Sequence, residues 1–324
     1  METITNNACT VYPISVPTKS SLHTFNFYLI EEEGSLSLVD AGVNSDKCWG
    51  YLLDTLKNHG FSLADLSRII ITHNHEDHVG LIDRIESEHD IPIYAPEKSI
   101  HRLKRDRNFF LMRIDFFKKL YYEMGCGLDG ELQVQKLQDA IKGHERKKVQ
   151  SDILRVDDNV LPGSQPIETP GHSPDHIVLL NKNRKWLFAG DHLIKHISSN
   201  ALVEPDPNGK RLLTVLDYED SLKKCLDLDV DVVFPGHGDL IHNHKDLVKK
   251  RLNGIERKAD RLLSYFGLES DISTASELAK AVYKEKYESQ FSLVMSEIIG
   301  HLDYLEEKGQ IEKALKSGIW HYSV

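Results

Sequence analysis

Three histidines and an aspartate fall within six residues, at His73, His75, Asp77 and His78. Neutral imidazole and carboxylate together are ligands suited to zinc and other first-row metals, so the chemistry they point to is metal binding. Polar side chains packed this closely need partners if they are buried, and a metal supplies one. His73 and His75 alternate, so an extended backbone directs them the same way. Asp77 and His78 lie just beyond, where a turn of the chain aims them at a second point. The spacing therefore suggests two adjacent metal positions. The plain alternative is a histidine-rich surface loop.

A strand must deliver this cluster. Leu66 to Thr72 reads as one, because Ile69-Ile70-Ile71-Thr72 is a β-branched run of the kind that fills a buried strand. A helix over Gly80 to Glu88 should follow directly. The same arrangement, a strand ending beside glycine and a ligand-type residue, recurs along the chain. Leu36 to Val39 ends in Asp40, which is either a turn former or a carboxylate that orients a histidine. Ile167 to Thr169 leads into Pro170-Gly171-His172. A hairpin of Ile177 to Leu180 with Lys185 to Ala189 ends in Gly190-Asp191. Val230 to Phe234 runs into Pro235-Gly236-His237. Loops held by a rigid sheet are where sites are built, and repetition makes coincidence a poor explanation. His176 reads as a shell residue around His172 and not as a ligand. One of His192, His196, His242 and His244 could contact substrate, while His23, His59, His89, His101, His144, His301 and His321 read as ordinary surface or core histidines.

Further strands are expected at Val11 to Val16, at Thr24 to Ile30 with Phe25, Phe27 and Leu29 on one face, at Ile91 to Ala95 and at Ile153 to Val156. Asp46 to His59 reads as a helix with Trp49, Leu52, Leu53 and Leu56 inward and Gly60 as its stop, and Asp217 to Leu228 as another. Residues 99–148 differ, with mixed charge, six aromatics between Phe109 and Tyr122, and little β-propensity. They should form two or three helices broken at Gly125-Cys126-Gly127 and Gly143. From His101 to Gln150 there are 12 Lys+Arg against 7 Asp+Glu, so the segment is locally basic. It is either an amphipathic insert whose aromatics form their own core, or a lid that selects an anionic substrate. After Asp246 come three helices: Asp246 to Gly267, one capped by Ser273 or Thr274 with Glu277 in a capping box, and Phe291 to Lys308. Short strands at Ile311 to Leu315 and Ile319 to Tyr322 complete a winged-helix arrangement. Residues 241–324 hold 13 Lys+Arg and 13 Asp+Glu, so packing or dimerisation is favoured over DNA reading.

At 324 residues, with 40% hydrophobic and 28% charged residues, the chain is long enough for one large soluble domain, or one large and one small. No apolar run approaches the roughly 20 residues that span a bilayer. The first residues lack a basic start followed by an apolar core, so no secretory signal is expected. Cys9, Cys48, Cys126 and Cys225 form no paired motif and read as reduced thiols of a cytoplasmic protein. A formal net charge of −10 argues mildly against a polyanionic partner.

Taken together, Asp40, His73-x-His75-x-Asp77-His78, His172, Asp191 and His237 resemble, in order and type, the motifs of the metallo-β-lactamase-fold hydrolases. The resemblance covers about residues 10 to 245, and the tail resembles that of a winged-helix branch which includes an endoribonuclease. It implies an α/β, four-layer αββα sandwich over residues 1–245, with the helical insert at about 99–148 and a winged-helix-like domain at 246–324. It places His73, His75 and His172 on a first divalent metal, Asp77, His78 and His237 on a second, and Asp191 between them, with Asp40 supporting from behind. Zinc is the default, with manganese or iron(II) as alternatives. Two such metals share a water, lower its pKa toward neutrality and stabilise a developing oxyanion; Asp77 could also orient the nucleophile or accept a proton. Antibiotic-hydrolysing members lack the bridging aspartate present here as Asp191. RNA-processing exonucleases carry a large inserted domain for which Asp191 and His237 lie too close in sequence. Flavodiiron reductases have a glutamate where His75 stands. The resemblance thus implies a cytoplasmic metal-dependent hydrolase of a small ester, thioester or lactone, with cleavage of single-stranded RNA as the alternative. A small-molecule substrate, no membrane partner and a possible homodimer go with the first.

Overall fold

The computed structural model describes residues 1–143, 148–158, 160–266 and 271–324; His144 and the expected helix end at Gly267 lie outside the described residues. Two sheets form the centre. The first comprises β1 (Ile4–Asn6), β2 (Cys9–Pro17), β3 (Thr24–Glu32), β4 (Ser35–Val39), β5 (Leu66–Ile70), β6 (Ile93–Ala95) and β7 (Ile153–Arg155), side by side in chain order. Its strands pair antiparallel up to β4 and parallel from there on. The second comprises β8 (Ser164–Glu168), β9 (Ile177–Asn181), β10 (Trp186–Gly190) and β11 (Val232–Pro235), in the order β11-β10-β9-β8, with only the β10–β11 pair parallel.

Side chains of a strand alternate between faces, and this assigns every central strand to two cores at once. On β3, Phe27 and Leu29 face an outer helix layer, while Tyr28 and Ile30 face the second sheet. On β5, Ile69 faces outward and Ile70 inward. On β9 and β10, Ile177, Leu179, Trp186 and Phe188 meet the first sheet, and Val178, Leu180, Leu187 and Ala189 face helices on the far side. Strands buried on both faces read as continuous apolar runs. The result is the expected four-layer αββα sandwich, with Phe188 stacked on Phe234 at 4.7 Å inside the seam between the sheets.

The first outer layer holds α1 (Asp46–Asn58), the single turn α2 (Glu76–Val79) and α3 (Ile82–Glu88). Ser45 caps α1 by accepting from the Cys48 N–H. Its buried face is Cys48, Leu52 and Leu56, spaced four apart; Leu53, expected inward, is exposed because it lies about 100° around the helix from Leu52. The helix expected over Gly80 to Glu88 opens two residues late, as α3, and α2 is a separate turn before it, since the Gly80 and Leu81 N–H groups donate to Gly42 and Ala41 carbonyls and interrupt the ladder. Asp77 and His78 therefore sit on a helical turn, not a loop.

The insert forms α4 (Ile100–Leu103), α5 (Arg107–Glu123) and α6 (Gly127–Ile141). The break falls at Gly125 and Gly127, both in the left-handed region at φ +73° and +51°. Its aromatics do not form a core of their own. Ile114, Phe117, Tyr121 and Val134 share one with α7 (Thr214–Leu226), α8 (His244–Leu263), α9 (Ala275–Tyr283), α10 (Glu285–Ser289) and α11 (Phe291–Glu307). Tyr121 meets Phe291 edge-on at 5.1 Å. Thr274 and Glu277 form the expected capping box of α9. Three helices and a hairpin, β12 (Glu312–Lys316) with β13 (Ile319–Ser323), follow in the expected order, with α10 added between the second and third.

Candidate metal centre

All the strand ends singled out in the sequence converge on one edge of the sandwich. β4 presents Asp40, β5 leads through Ile71 and Thr72 to His73 and His75, and α2 adds Asp77 and His78. From the second sheet come His172 after β8, Asp191 after β10 and His237 after β11. Close backbone approach makes this possible. At Gly236 a Cβ would stand 2.5 Å from Asp191 Oδ1 and 2.7 Å from His78 Cε1, so only glycine leaves both in place.

Three sets of ligand atoms lie within 4.8 Å of one another: His73, His75 and His172; His73, His78 and Asp191; and Asp77, His78 and His237. Asp191 spans them. Its Oδ1 lies 3.3 Å from His78 Nε2 and 3.2 Å from His237 Nε2, and its Oδ2 lies 3.5 Å from His172 Nε2. Asp77 Oδ2 is 3.4 Å from His237 Nε2.

The hydrogen bonds behind the rings fix which nitrogens face inward. His78 Nδ1–H donates to Asp40 Oδ2 at 2.8 Å, and His237 Nδ1–H donates to the Thr24 carbonyl at 2.7 Å. His172 Nδ1 lies 3.0 Å from the Asn200 carbonyl and 2.9 Å from Ser199 Oγ. Thr72 Oγ1 donates to Asp40 Oδ2 at 2.9 Å, which leaves it to accept from His73 Nδ1 at 3.1 Å. With the rings neutral, four Nε2 lone pairs would thus converge with two carboxylates. His78 Nε2, His237 Nε2 and Asp191 Oδ1 are buried with no hydrogen-bond partner. Lone pairs gathered on lone pairs are the arrangement a cation stabilises, and the His/Asp cluster is suited to a pair of metal ions.

Without a cation the site is electrostatically divided. Burial, and then the neighbouring imidazoles, hold His73 well below the usual histidine range, and burial with His172 brings His75 to about 4. Burial opposes protonation of His237 too, but the Asp191 and Asp77 carboxylates outweigh it and lift this group to about 9. Burial would raise Asp77, yet contact with His237 and His78 holds it at about 2.

Several supporting residues carried no signal in the sequence. Asp175 accepts from the Asn74 N–H at 2.9 Å, from Asn74 Nδ2 at 2.7 Å and from Ser99 Oγ at 2.5 Å, and so pins the backbone between His73 and His75. His176, expected in the shell around His172, has its ring 6.0 Å from that ring and accepts the Asp191 N–H at 3.0 Å through Nε2. Asn26 on β3 donates to the Pro235 and Gly238 carbonyls at 3.0 and 2.8 Å and fixes the His237 loop. Only the residue types hinted at these roles, because every bond joins distant parts of the chain. His192 and His244 are buried, His196 and His242 are exposed, and none of them joins a metal-sized group among the described residues.

Beside His75 and Asn74 lies a cleft of about 210 Å³. The insert forms its wall, with Leu103, Phe110 and three arginines, Arg102, Arg105 and Arg113, against one carboxylate, Glu204. Arg102 and Arg113 both ion-pair with Glu204, and Arg105 approaches Glu76 at 3.4 Å.

A family model described as the metallo-beta-lactamase superfamily matches residues 25–237. A probable metallo-hydrolase of Bacillus subtilis, YqjP, is 29% identical over 93% of this chain and 93% of its own length. A beta-lactamase-like protein 2 homolog of Drosophila melanogaster is 25% identical over 91% of this chain and 86% of its own. Among solved structures, a metallo-beta-lactamase family protein of Thermus thermophilus superposes with a TM-score of 0.77 at 24% identity, covering 97% of this chain and 98% of that one.

Proposed function

The chain belongs to the metallo-beta-lactamase superfamily as a metallo-hydrolase, and on that premise we propose that it is a dinuclear enzyme cleaving a small ester, thioester or lactone. In this reading His73, His75 and His172 hold one cation, Asp77, His78 and His237 the other, and Asp191 both, with zinc as the default occupant and manganese or iron(II) as alternatives. Bound cations would supply a water activated near neutral pH and positive charge for the developing oxyanion. The chain's own part is to place that chemistry. Asp40 aligns His78 directly and His73 through Thr72, and Asp175 sets the loop of His75. Asp77 is half-buried whereas Asp191 is buried, so Asp77 is the carboxylate able to reach an entering water and accept its proton.

The substrate part of the reading rests on one observation, the small cleft under the insert. A space of about 210 Å³ beside His75 matches an acyl group and not a polymer, and its three arginines, set against Glu204 and the neighbouring Glu76, leave positive charge in excess and favour an anionic or strongly polar substrate. A further relative, named thioesterase pkgB, of Emericella nidulans, is 25% identical over 70% of this chain and supports this reading. The proposal places the enzyme in the cytoplasm. All four cysteines are buried and unpaired, and no helix among the described residues is long and apolar enough to cross a membrane.

Turnover of a thioester, a lactone, a phosphodiester and single-stranded RNA by the metal-loaded protein tests this, with Asp77→Ala as control. Carboxylic esters should win by orders of magnitude, and Asp77→Ala should abolish turnover while the protein stays folded. Preference for RNA, falling steeply with salt, would replace this reading with an endoribonuclease. Retained turnover in Asp77→Ala would remove the site assignment.

A further inference from the structure

A second cavity, of about 320 Å³, lies behind the metal centre, between α8 and the segment from Ser198 to Ala201. Five cations of α8 line it: Lys250, Arg251, Arg257, Lys258 and Arg261. Only Lys258 has a carboxylate partner among the described residues, Glu297 at 2.9 Å. Arg251 is buried and donates to the Ile194, Lys195 and Ile197 carbonyls, so it holds the segment that leads to the site and keeps its charge uncompensated. The count of charges over residues 241–324 is even, but on this face of α8 it is not.

Two further observations indicate a ligand. His301, 4% exposed, also lines the cavity; its Nδ1–H donates to the Glu297 carbonyl at 2.8 Å, and its Nε2 has no partner. That nitrogen is left as an acceptor for a hydroxyl or amide hydrogen. Gly254 stands in the same wall, mid-helix, where a Cβ would meet nothing within 4 Å. Glycine in a helix interior is destabilising by roughly 0.5–1 kcal/mol relative to alanine. Here it keeps the cavity open and relieves no clash. The cavity lies one residue away from the metal centre, on the outer side of His172. Ser199 and Asn200 line it, and the same two residues contact His172 Nδ1.

We infer that this cavity binds the non-reacting half of the substrate, an organic phosphate that also bears a hydroxyl or amide hydrogen, and so holds a phosphorylated alcohol or thiol carrier while its acyl end enters the site. The phosphate meets the unpaired cations of α8, the donor meets His301 Nε2, and the apolar floor of Val215 and Ile255 takes the carbon skeleton. This rests on the ester-hydrolase reading for the acyl end, though phosphate binding itself does not.

Calorimetric binding of adenosine 5′-diphosphate to the full metal-loaded chain tests the cavity directly, in wild type, in the double variant Arg257→Gln/Arg261→Gln and in Gly254→Leu. Wild type should bind, and each variant should weaken binding at least about tenfold while circular dichroism stays unchanged. Hydrolysis of the acetyl thioester of coenzyme A is then compared with that of S-acetyl-N-acetylcysteamine, which has no phosphate. The double variant should raise KM for the first and leave kcat/KM for the second unchanged, whereas Gly254→Leu, which fills the space for the amide and carbon skeleton, should raise KM for both. Absence of nucleotide binding in wild type, or equal binding in all three proteins, overturns the inference even if the unphosphorylated thioester is cleaved. Nucleotide binding that depends on α8, with no thioester cleaved, upholds the phosphate site and removes the acyl reading. Tighter binding of a single-stranded RNA oligonucleotide than of the nucleotide, through the same residues, overturns the small-carrier assignment.

Discussion

Replacing Glu204 by glutamine should uncouple the insert from the body of the enzyme, and the structure sets the size of the effect. Glu204 is buried after β10 and accepts from Arg102 Nη2 at 3.2 Å and Arg113 Nε at 2.7 Å, with a second bond from Arg113 Nη2. Burial alone would raise its pKa, but Arg113 and Arg102 outweigh burial and bring it from 4.5 to about 2. At about 1.4 kcal/mol per unit, that is about 3 kcal/mol of stability. A carboxyl depressed in the folded state contributes fully above its unfolded value of 4.5 and loses the contribution as pH falls toward 2. Glutamine keeps the shape, removes the charge and strands two guanidinium groups, a change in the range of a broken buried ion pair. Urea unfolding with chelator present should therefore show Glu204→Gln about 3 kcal/mol less stable than wild type at pH 7, and about 2 kcal/mol less stable at pH 3.5. Because Arg102 and Arg113 also wall the cleft, substrate affinity should change with stability. A difference below about 1 kcal/mol at pH 7, or one that does not shrink on acidification, would refute the coupling.

Asp40 has φ +58°, a conformation asparagine tolerates, so Asp40→Asn keeps the backbone and removes the charge that aligns His78 and Thr72. Metal affinity by chelator competition should fall roughly 10–100-fold. His237, lifted to about 9 without metal, is protonated at pH 7 and must release that proton to become a ligand. Apparent metal affinity should accordingly rise with pH through about 9; a flat profile would contradict the inward-facing Nε2. Gly236→Ala forces a methyl against Asp191 and His78, and elemental analysis should find fewer than two metals per chain in a protein that remains folded.

What could be read from the sequence was whatever local periodicity or a strand end could carry. The alternation of Phe25, Phe27 and Leu29, the β-branched run into His73 and the glycine-flanked ends at His172, Asp191 and His237 each fall within a few residues, and all of them reappear in the fold. Asp175, Asn26 and Glu204 could not be read in this way, because each acts on a segment more than 90 residues away. Charge counting misled in both directions. The insert is basic in composition, yet Arg102 and Arg113 share Glu204 and Lys142 pairs with Asp139. Residues 241–324 are balanced in composition, yet α8 gathers its cations on one face.

The two sheets are also two consecutive stretches of chain. Everything up to β7 builds the first, β8 to β11 build the second, and each of the three ligand groups takes residues from both. Neither stretch holds a complete site, so a bound cation would act as a rivet across the joint. Occupancy then reports that the halves have docked, and metal favours the docked form by mass action. Cells starved of metal would feel the loss as protein turnover as well as missing activity, with the joint as the first place to open to proteases. A chain cut between Arg155 and Ser164 should reassemble from its pieces only when metal is supplied.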